Sequence, residues 1–261
     1  MLFLLSPAKT LDTTTPVRAP TLKKASEPLF SERAAELIAV LRPKTPAQVA
    51  TLMDLSDPLA ALNVARYASW EPQATPANSR PALLTFAGDV YDGLQAATLK
   101  AADLAWAQQH LVLLSGLYGA LRPLDRLQPY RLEMGTALAT PRGRDLYMFW
   151  GDTVADWLNQ RQADEAAPLV VNLASVEYAR VALRKCLRAA VVDCVFEDWK
   201  GGRYKVISFF AKRARGMMAR HAITTRARSP RALLSFDADG YRFDADASAP
   251  QRLVFRRRVA D

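Results

Sequence analysis

Two stretches of the chain, residues 1–5 and 111–114, are apolar without alternation, and a third, residues 169–173, is broken only by Asn172. Runs this short, bounded by turn-forming residues, predict strands buried on both faces, as in the middle of a parallel sheet. Each ends in small and polar residues. The first is followed by Ser6-Pro7-Ala8-Lys9-Thr10-Leu11-Asp12, the second by Ser115-Gly116-Leu117-Tyr118-Gly119, the third by Ala174-Ser175-Val176-Glu177-Tyr178. Residues 82–86, 189–195 and 204–209 predict further strands, the last two joined through the Lys200-Gly201-Gly202 turn. Residues 240–243 and 252–255 alternate as a half-buried hairpin does.

Between the strands the period changes to that of helices. Ser31 is the expected cap of a helix with Glu32 in its first turn and Ala35, Leu37, Ile38 and Leu41 on its apolar side. Thr45 caps a second that opens at Pro46 and carries Val49, Leu52, Met53 and Leu55. Ser56-Asp57-Pro58 opens a third, with Leu59, Leu62, Ala65 and Arg66. The tight joint predicts a helical hairpin over residues 45–68, either a packing unit or a phosphate-facing element. Residues 69–82 read as a loop, residues 88–94 as a loop entering a helix, and residues 103–110 as a helix. Another helix runs from Leu146 to about residue 160, with Asp152, Asp156 and Arg161 on its polar side. Arg122, Asp125, Arg131 and Glu133 fall in an irregular stretch, where a solvated ion-pair network is the bland reading to set against any binding role. No internal repeat is visible. The pattern predicts one α/β domain over residues 1–261, a mixed-sheet α+β arrangement with a helical insertion.

Length and composition exclude several classes. At 261 residues and 50% hydrophobic content the chain can bury a large core. No apolar run is long enough to span a membrane, and the apolar start is too short for a signal peptide and has no basic region before it. A cytoplasmic protein, monomeric and without membrane contact, is expected. Cys186 and Cys194 are too few for a disulfide framework or a cysteine metal site, and Cys194 reads as a core residue. His110 and His221 lie far apart. No metal site and no cofactor is called for.

Charge changes the picture more. Residues 1–199 hold 20 Lys/Arg and 21 Asp/Glu, whereas residues 200–261 hold 15 and 5, so the whole excess of +9 lies in the last quarter. A concentrated basic segment is the footprint of a polyanion partner. Within it, residues 209–220 read as a helix with Lys212, Arg213, Arg215 and Arg220 on one arc and Phe210, Ala214, Met217 and Met218 opposite. Gly216 stands at the edge of the basic arc, where a backbone or a phosphate could come close. A solvated surface helix is the competing reading. It is disfavoured because the acids needed for i,i+4 pairing are missing.

Ligands of open α/β sheets gather at the carboxyl ends of strands. Ser6, Lys9, Thr10 and Asp12 are therefore candidates for a cleft, or else a mere strand terminator and a solvated lysine. Ser6-Pro7-Ala8-Lys9 has the form Ser-x-x-Lys, but the Lys-Thr-Gly companion of acyl-transfer enzymes is absent. The glycines of a phosphate-binding loop are also missing.

The blocks Leu5-Ser-Pro-Ala-Lys-Thr-Leu-Asp12, Thr75-Pro-Ala-Asn78, Gly88-Asp-Val-Tyr91 with Gly93-Leu94, Leu114-Ser-Gly-Leu-Tyr-Gly119, Leu121-Arg-Pro-Leu-Asp125, Pro129-Tyr-Arg-Leu-Glu-Met-Gly135, Phe149-Trp-Gly151, Asn172-Leu-Ala-Ser175 with Glu177-Tyr178 and Lys212-Arg-Ala-Arg-Gly216 run nearly end to end. Together they resemble the YaaA peroxide stress resistance family. The resemblance implies a compact α/β domain of unusual fold with a helix-hairpin-helix-like element and a positively charged cleft. It implies binding of double-stranded or structurally distorted DNA, and protection of DNA under hydrogen peroxide through lower free iron. The hairpin here departs from the pattern, since its turn has no glycine. The phosphate contacts expected are Lys9, Arg80, Arg122, Arg131, Lys212, Arg213, Arg215 and Arg220. Ser6, Thr10, Asp12, Asn78, Asp89 and Ser115 are the further cleft candidates. Polar groups converging from several strand ends also keep open an enzyme acting on a nucleotide or nucleic-acid base.

Overall fold

The strand that begins the chain lies in the middle of the sheet. In the computed structural model, which describes residues 1–258, β1 (Leu2–Leu5) is buried at every position. The remaining strands of its sheet are β2 (Leu111–Ser115), β3 (Gly119–Leu121), β4 (Leu169–Leu173), β5 (Ala190–Lys200), β6 (Arg203–Lys205), β7 (Arg242–Phe243) and β8 (Arg252–Arg257). Their order is β7-β8-β5-β4-β1-β2-β3, with β6 paired to β5. β8, β5, β4, β1 and β2 run parallel, and β3, β6 and β7 are added antiparallel. Register sets Leu4 between Val112 and Asn172. The molecule is a mixed α/β structure folded as a single compact domain, with its core on both sides of β1.

The topology creates a crevice. From β1 the chain crosses to β2 on one side, then returns to β4 on the other. Connections that leave in opposite directions separate at the carboxyl ends of the two adjacent strands and leave room for a ligand there. In this sheet that place lies just beyond Leu5 and Leu173.

The long helix Ser208–Thr225 packs across β5, β4 and β1 and presses on the short helix Asp89–Leu94. Two glycines permit the approach. A Cβ on Gly216 would collide with the Val90 carbonyl oxygen, and one on Gly93 with that of Arg213. Gly216 therefore serves the approach of a backbone, the first of its two expected uses.

Several expected elements take another form. Residues 82–86 are a helical turn, Ala82–Thr85, followed by a two-residue strand, Phe86–Ala87, that pairs with Thr10–Leu11. A short buried apolar run carries no period that separates helix from strand. The helix expected from Leu146 to residue 160 is two helices, Leu146–Trp150 and Thr153–Arg161, broken where Gly151 adopts φ 50°. Residues 204–209 divide between β6 and the start of the long helix. In the first helix, Ser31–Leu41, Ser31 gives its hydroxyl to the Pro28 carbonyl and caps nothing, and Ala34 is buried where Ala35 was expected. The hairpin helices Pro46–Met53 and Asp57–Ser69 are present, the first with a capping box between Thr45 and Gln48. The buried face of the second is Ala60, Asn63 and Tyr67, while Leu59 and Leu62 are exposed. The Tyr67 hydroxyl donates to the Arg131 carbonyl, which ties the hairpin to the loop before the cleft. The tail hairpin forms as expected, β7 against β8. Cys194 is a core residue, its thiol pushed up to about 12 by burial. Among the described residues no helix is long and apolar enough to cross a membrane.

Candidate functional site

A cleft of about 490 Å³ opens at the crevice beyond β1 and β4. Its floor is made by the two strand ends. Ser6 accepts a hydrogen bond on its Oγ from the Ser175 backbone N–H at 2.8 Å, and the two hydroxyls are 3.4 Å apart. The Ser6 carbonyl accepts from the Tyr91 hydroxyl at 3.0 Å, so the turn after β1 is pinned to helix Asp89–Leu94. Ser175 accepts on its own Oγ from Tyr178 N–H and caps helix Val176–Ala182. Glu177 and Tyr178, from the first turn of that helix, form another wall.

Charges of both signs converge on the cleft. Lys9 meets Glu133 at 2.9 Å, and Glu133 also takes Arg131 at 2.9 Å. Glu177 Oε1 accepts from Gly135 N–H at 2.9 Å. The long helix contributes Lys212, whose Nζ is 4.0 Å from Asp89 Oδ2, and Arg215. Arg215 is the exception in this network. It lies partly buried, its Nε is shielded without a hydrogen-bond partner, and it forms no ion pair among the described residues. Burial lowers its pKa, against the pull of Asp193 and Cys194. A partly desolvated charge with no hydrogen-bonded partner is costly, so an anion from outside would stabilise this guanidinium.

A family model described as peroxide stress protein YaaA matches residues 1–247, a stretch that contains every residue named at the cleft. The chain belongs to the YaaA family. UPF0246 proteins stand close to it. That of Leptothrix cholodnii is 66% identical over 261 residues, covering all of both chains. That of Methylibium petroleiphilum is 61% identical over 259 residues, and that of Bordetella avium 59% over 259, each covering 99% of this chain and 100% of the relative. Membership in the YaaA family links the chain to the peroxide stress response.

Of the residues singled out from the sequence of this YaaA protein, Ser6, Lys9, Thr10, Asp89, Lys212 and Arg215 meet at the cleft. The others lie apart from it. Asp12 accepts from Thr14 and Thr15 N–H and shapes the following loop, and Arg80 donates to the carbonyls of Thr13 and Thr15 in the same loop. Asn78 closes its own turn, accepting from Thr75 N–H and donating to the Gln73 carbonyl. Ser115 is fully buried between the Tyr130 hydroxyl and Tyr118 N–H. Arg122 holds Asp125 at 2.8 Å, and Asp125 is completely buried, so this pair is an interior brace and not part of a solvated network. Arg131 is engaged with Glu133. Arg220 donates to the Leu94 and Gln95 carbonyls and to Thr98 Oγ1. Arg213 is exposed and lies next to a second hollow, beside Asp92 and His221.

Glu133, Ser175, Glu177 and Tyr178 also line the cleft, although the sequence, which placed Glu133 in the irregular charged stretch and the other three after the third strand, did not mark them as cleft candidates. The signal for three of them was present, since residues 174–178 repeat the small-and-polar ending of the first strand. Glu133 was marked only as one charge of an irregular stretch, and it reaches the cleft from that loop, where no period could place it.

Proposed function

We propose that this protein serves the peroxide stress response by binding DNA, duplex or locally distorted, along the exposed start of helix Ser208–Thr225, and that it thereby limits iron-dependent damage to DNA. The observation that carries the reading is an apolar and cationic surface side by side. Phe209 is 56% exposed and Val206 52% exposed. Lys212 and Arg213 follow within about one turn of Phe209, both exposed, and Arg213 has no ion-pair partner among the described residues. Cations hold phosphates without regard to sequence, and an exposed ring offers a stacking face to an unpaired base. The helical hairpin is left out of this surface. Asp54 and Asp57 put two carboxylates at its turn, where a phosphate would be repelled.

Fluorescence anisotropy with a labelled duplex tests the reading. The double variant Lys212→Ala, Arg213→Ala is expected to bind more weakly and to lose about two units from the slope of log affinity against log salt, one for each phosphate contact removed. Wild-type affinity and slope in that variant would rule the surface out.

A second reading is an enzyme acting on a nucleotide or nucleic-acid base. It is favoured by the cleft at the strand-order reversal, where hydroxyls, carboxylates and cations meet as catalysis requires. Turnover of nucleotides or of base-damaged oligonucleotides that disappears in Ser6→Ala would support it, and turnover that persists in that variant would not.

A further inference from the structure

The charges that line the cleft cancel: Lys9, Lys212 and Arg215 stand with Asp89, Glu133 and Glu177. A groove that holds a duplex must neutralise a run of phosphates, and three carboxylates oppose that. A volume of about 490 Å³ lies instead in the range of small-molecule sites. Within this balanced set the acids are engaged, Glu133 with Lys9 and Arg131, Glu177 with Gly135 N–H, whereas Arg215 is not.

We propose that the cleft binds a free nucleoside monophosphate, with Arg215 as the seat of its phosphate. The inference rests on the second reading above and deepens it by naming the ligand class. A guanidinium offers paired donors that match two phosphate oxygens. Lys212 lies three residues before Arg215 on the same helix face and adds a second cation, and the Ser6 and Ser175 hydroxyls add short polar contacts at the floor. Glu133 and Glu177 come from different elements, the loop after residue 129 and the helix Val176–Ala182. Their remaining lone pairs can accept from ribose hydroxyls or from amino groups of a base. A free amino acid has the same two kinds of group but would leave most of the cleft empty.

The full chain is titrated calorimetrically, and its unfolding midpoint followed, with AMP, CMP, GMP, UMP, inorganic phosphate and free glutamate. Wild type is expected to bind at least one nucleotide more tightly than phosphate alone and to gain midpoint with it. Arg215→Met is expected to bind that nucleotide roughly 10- to 100-fold more weakly, the loss of a charged hydrogen-bond pair. Its ligand-free midpoint should equal or exceed that of wild type, because a desolvated charge has been removed. Arg215→Lys, which keeps the charge and loses the paired geometry, should fall between the two and guards against a folding failure of the first variant. Equal nucleotide binding in wild type and both variants, no nucleotide binding by wild type, or glutamate binding in its place would each overturn the proposal. Nucleotide binding without turnover keeps this inference and removes the catalytic reading.

Discussion

Arg215 and Arg220 stand five positions apart on one helix and are used in opposite ways. Arg220 spends its donors on the carbonyls that end helix Asp89–Leu94, so it is part of the scaffold. Arg215 is left without a partner at the edge of the cleft. Asp125 makes a third case. Burial pushes its carboxyl above the usual range although Arg122 and Ser26 donate to it. Removing it would strand Arg122 and Ser26 together, and Asp125→Ala is expected to cost about 3–5 kcal/mol of unfolding free energy in a urea titration. Asp12 ties stability to pH. The Thr15 hydroxyl and N–H, with Thr14 N–H, hold its carboxyl at about 2, below the ordinary 3.8. A depressed carboxylate stabilises the fold above its unfolded pKa and loses that contribution as pH falls through the folded one. Wild type should therefore be more stable than Asp12→Asn above pH 3.8, with the gap closing towards pH 2 in parallel denaturation curves.

At the scale of elements, the crossing of Ser208–Thr225 with Asp89–Leu94 forms one side of the cleft. It delivers Lys212 and Arg215 on one side and Asp89 on the other. The contact is backbone against backbone, through Gly93 and Gly216. Gly216→Ala is expected to destabilise by about 2–3 kcal/mol, because the added methyl has no flexible neighbour to displace, and circular dichroism melts would show it. The arc of cations on this helix was readable from the 3.6-residue period, and so was its core face in outline. The use of each cation was not, because period gives direction around the axis and says nothing of what lies opposite.

For the whole molecule, the basic tail looks different once folded. Arg252 and Arg256 pair with Glu197, Arg256 also with Asp244, and Arg257 is buried against Asp198 and Asp239. Three of the fifteen Lys and Arg from residue 200 onward thus hold β8 to β5 and β7. The cations left for a polyanion are fewer, and under the proposed DNA-binding reading the exposed Phe209 is the group that would favour unpaired bases. Phe209→Ala is expected to weaken binding to bubble DNA by about 1–3 kcal/mol while leaving a fully paired duplex nearly unaffected, read by anisotropy on both substrates. Equal losses on the two would assign Phe209 to packing.

Along the chain alone, the three buried strands, the polar ends that follow them, the basic helix and the family are legible. These are local properties: strand burial is written in unbroken apolar runs, helix faces in periodicity, and membership in ordered blocks. That residues 6–10 and residues 175–178 meet follows from folding, because adjacency of β1 and β4 is a long-range pairing with no local trace. The same holds for Ser115, Arg122 and Asn78, which carry the right chemistry but are turned into the core or into their own loops. Glu133 arrives from an irregular segment for the opposite reason, through contacts made only after the sheet has formed. The polar turn after β1 becomes a cleft because the strand order reverses beside it.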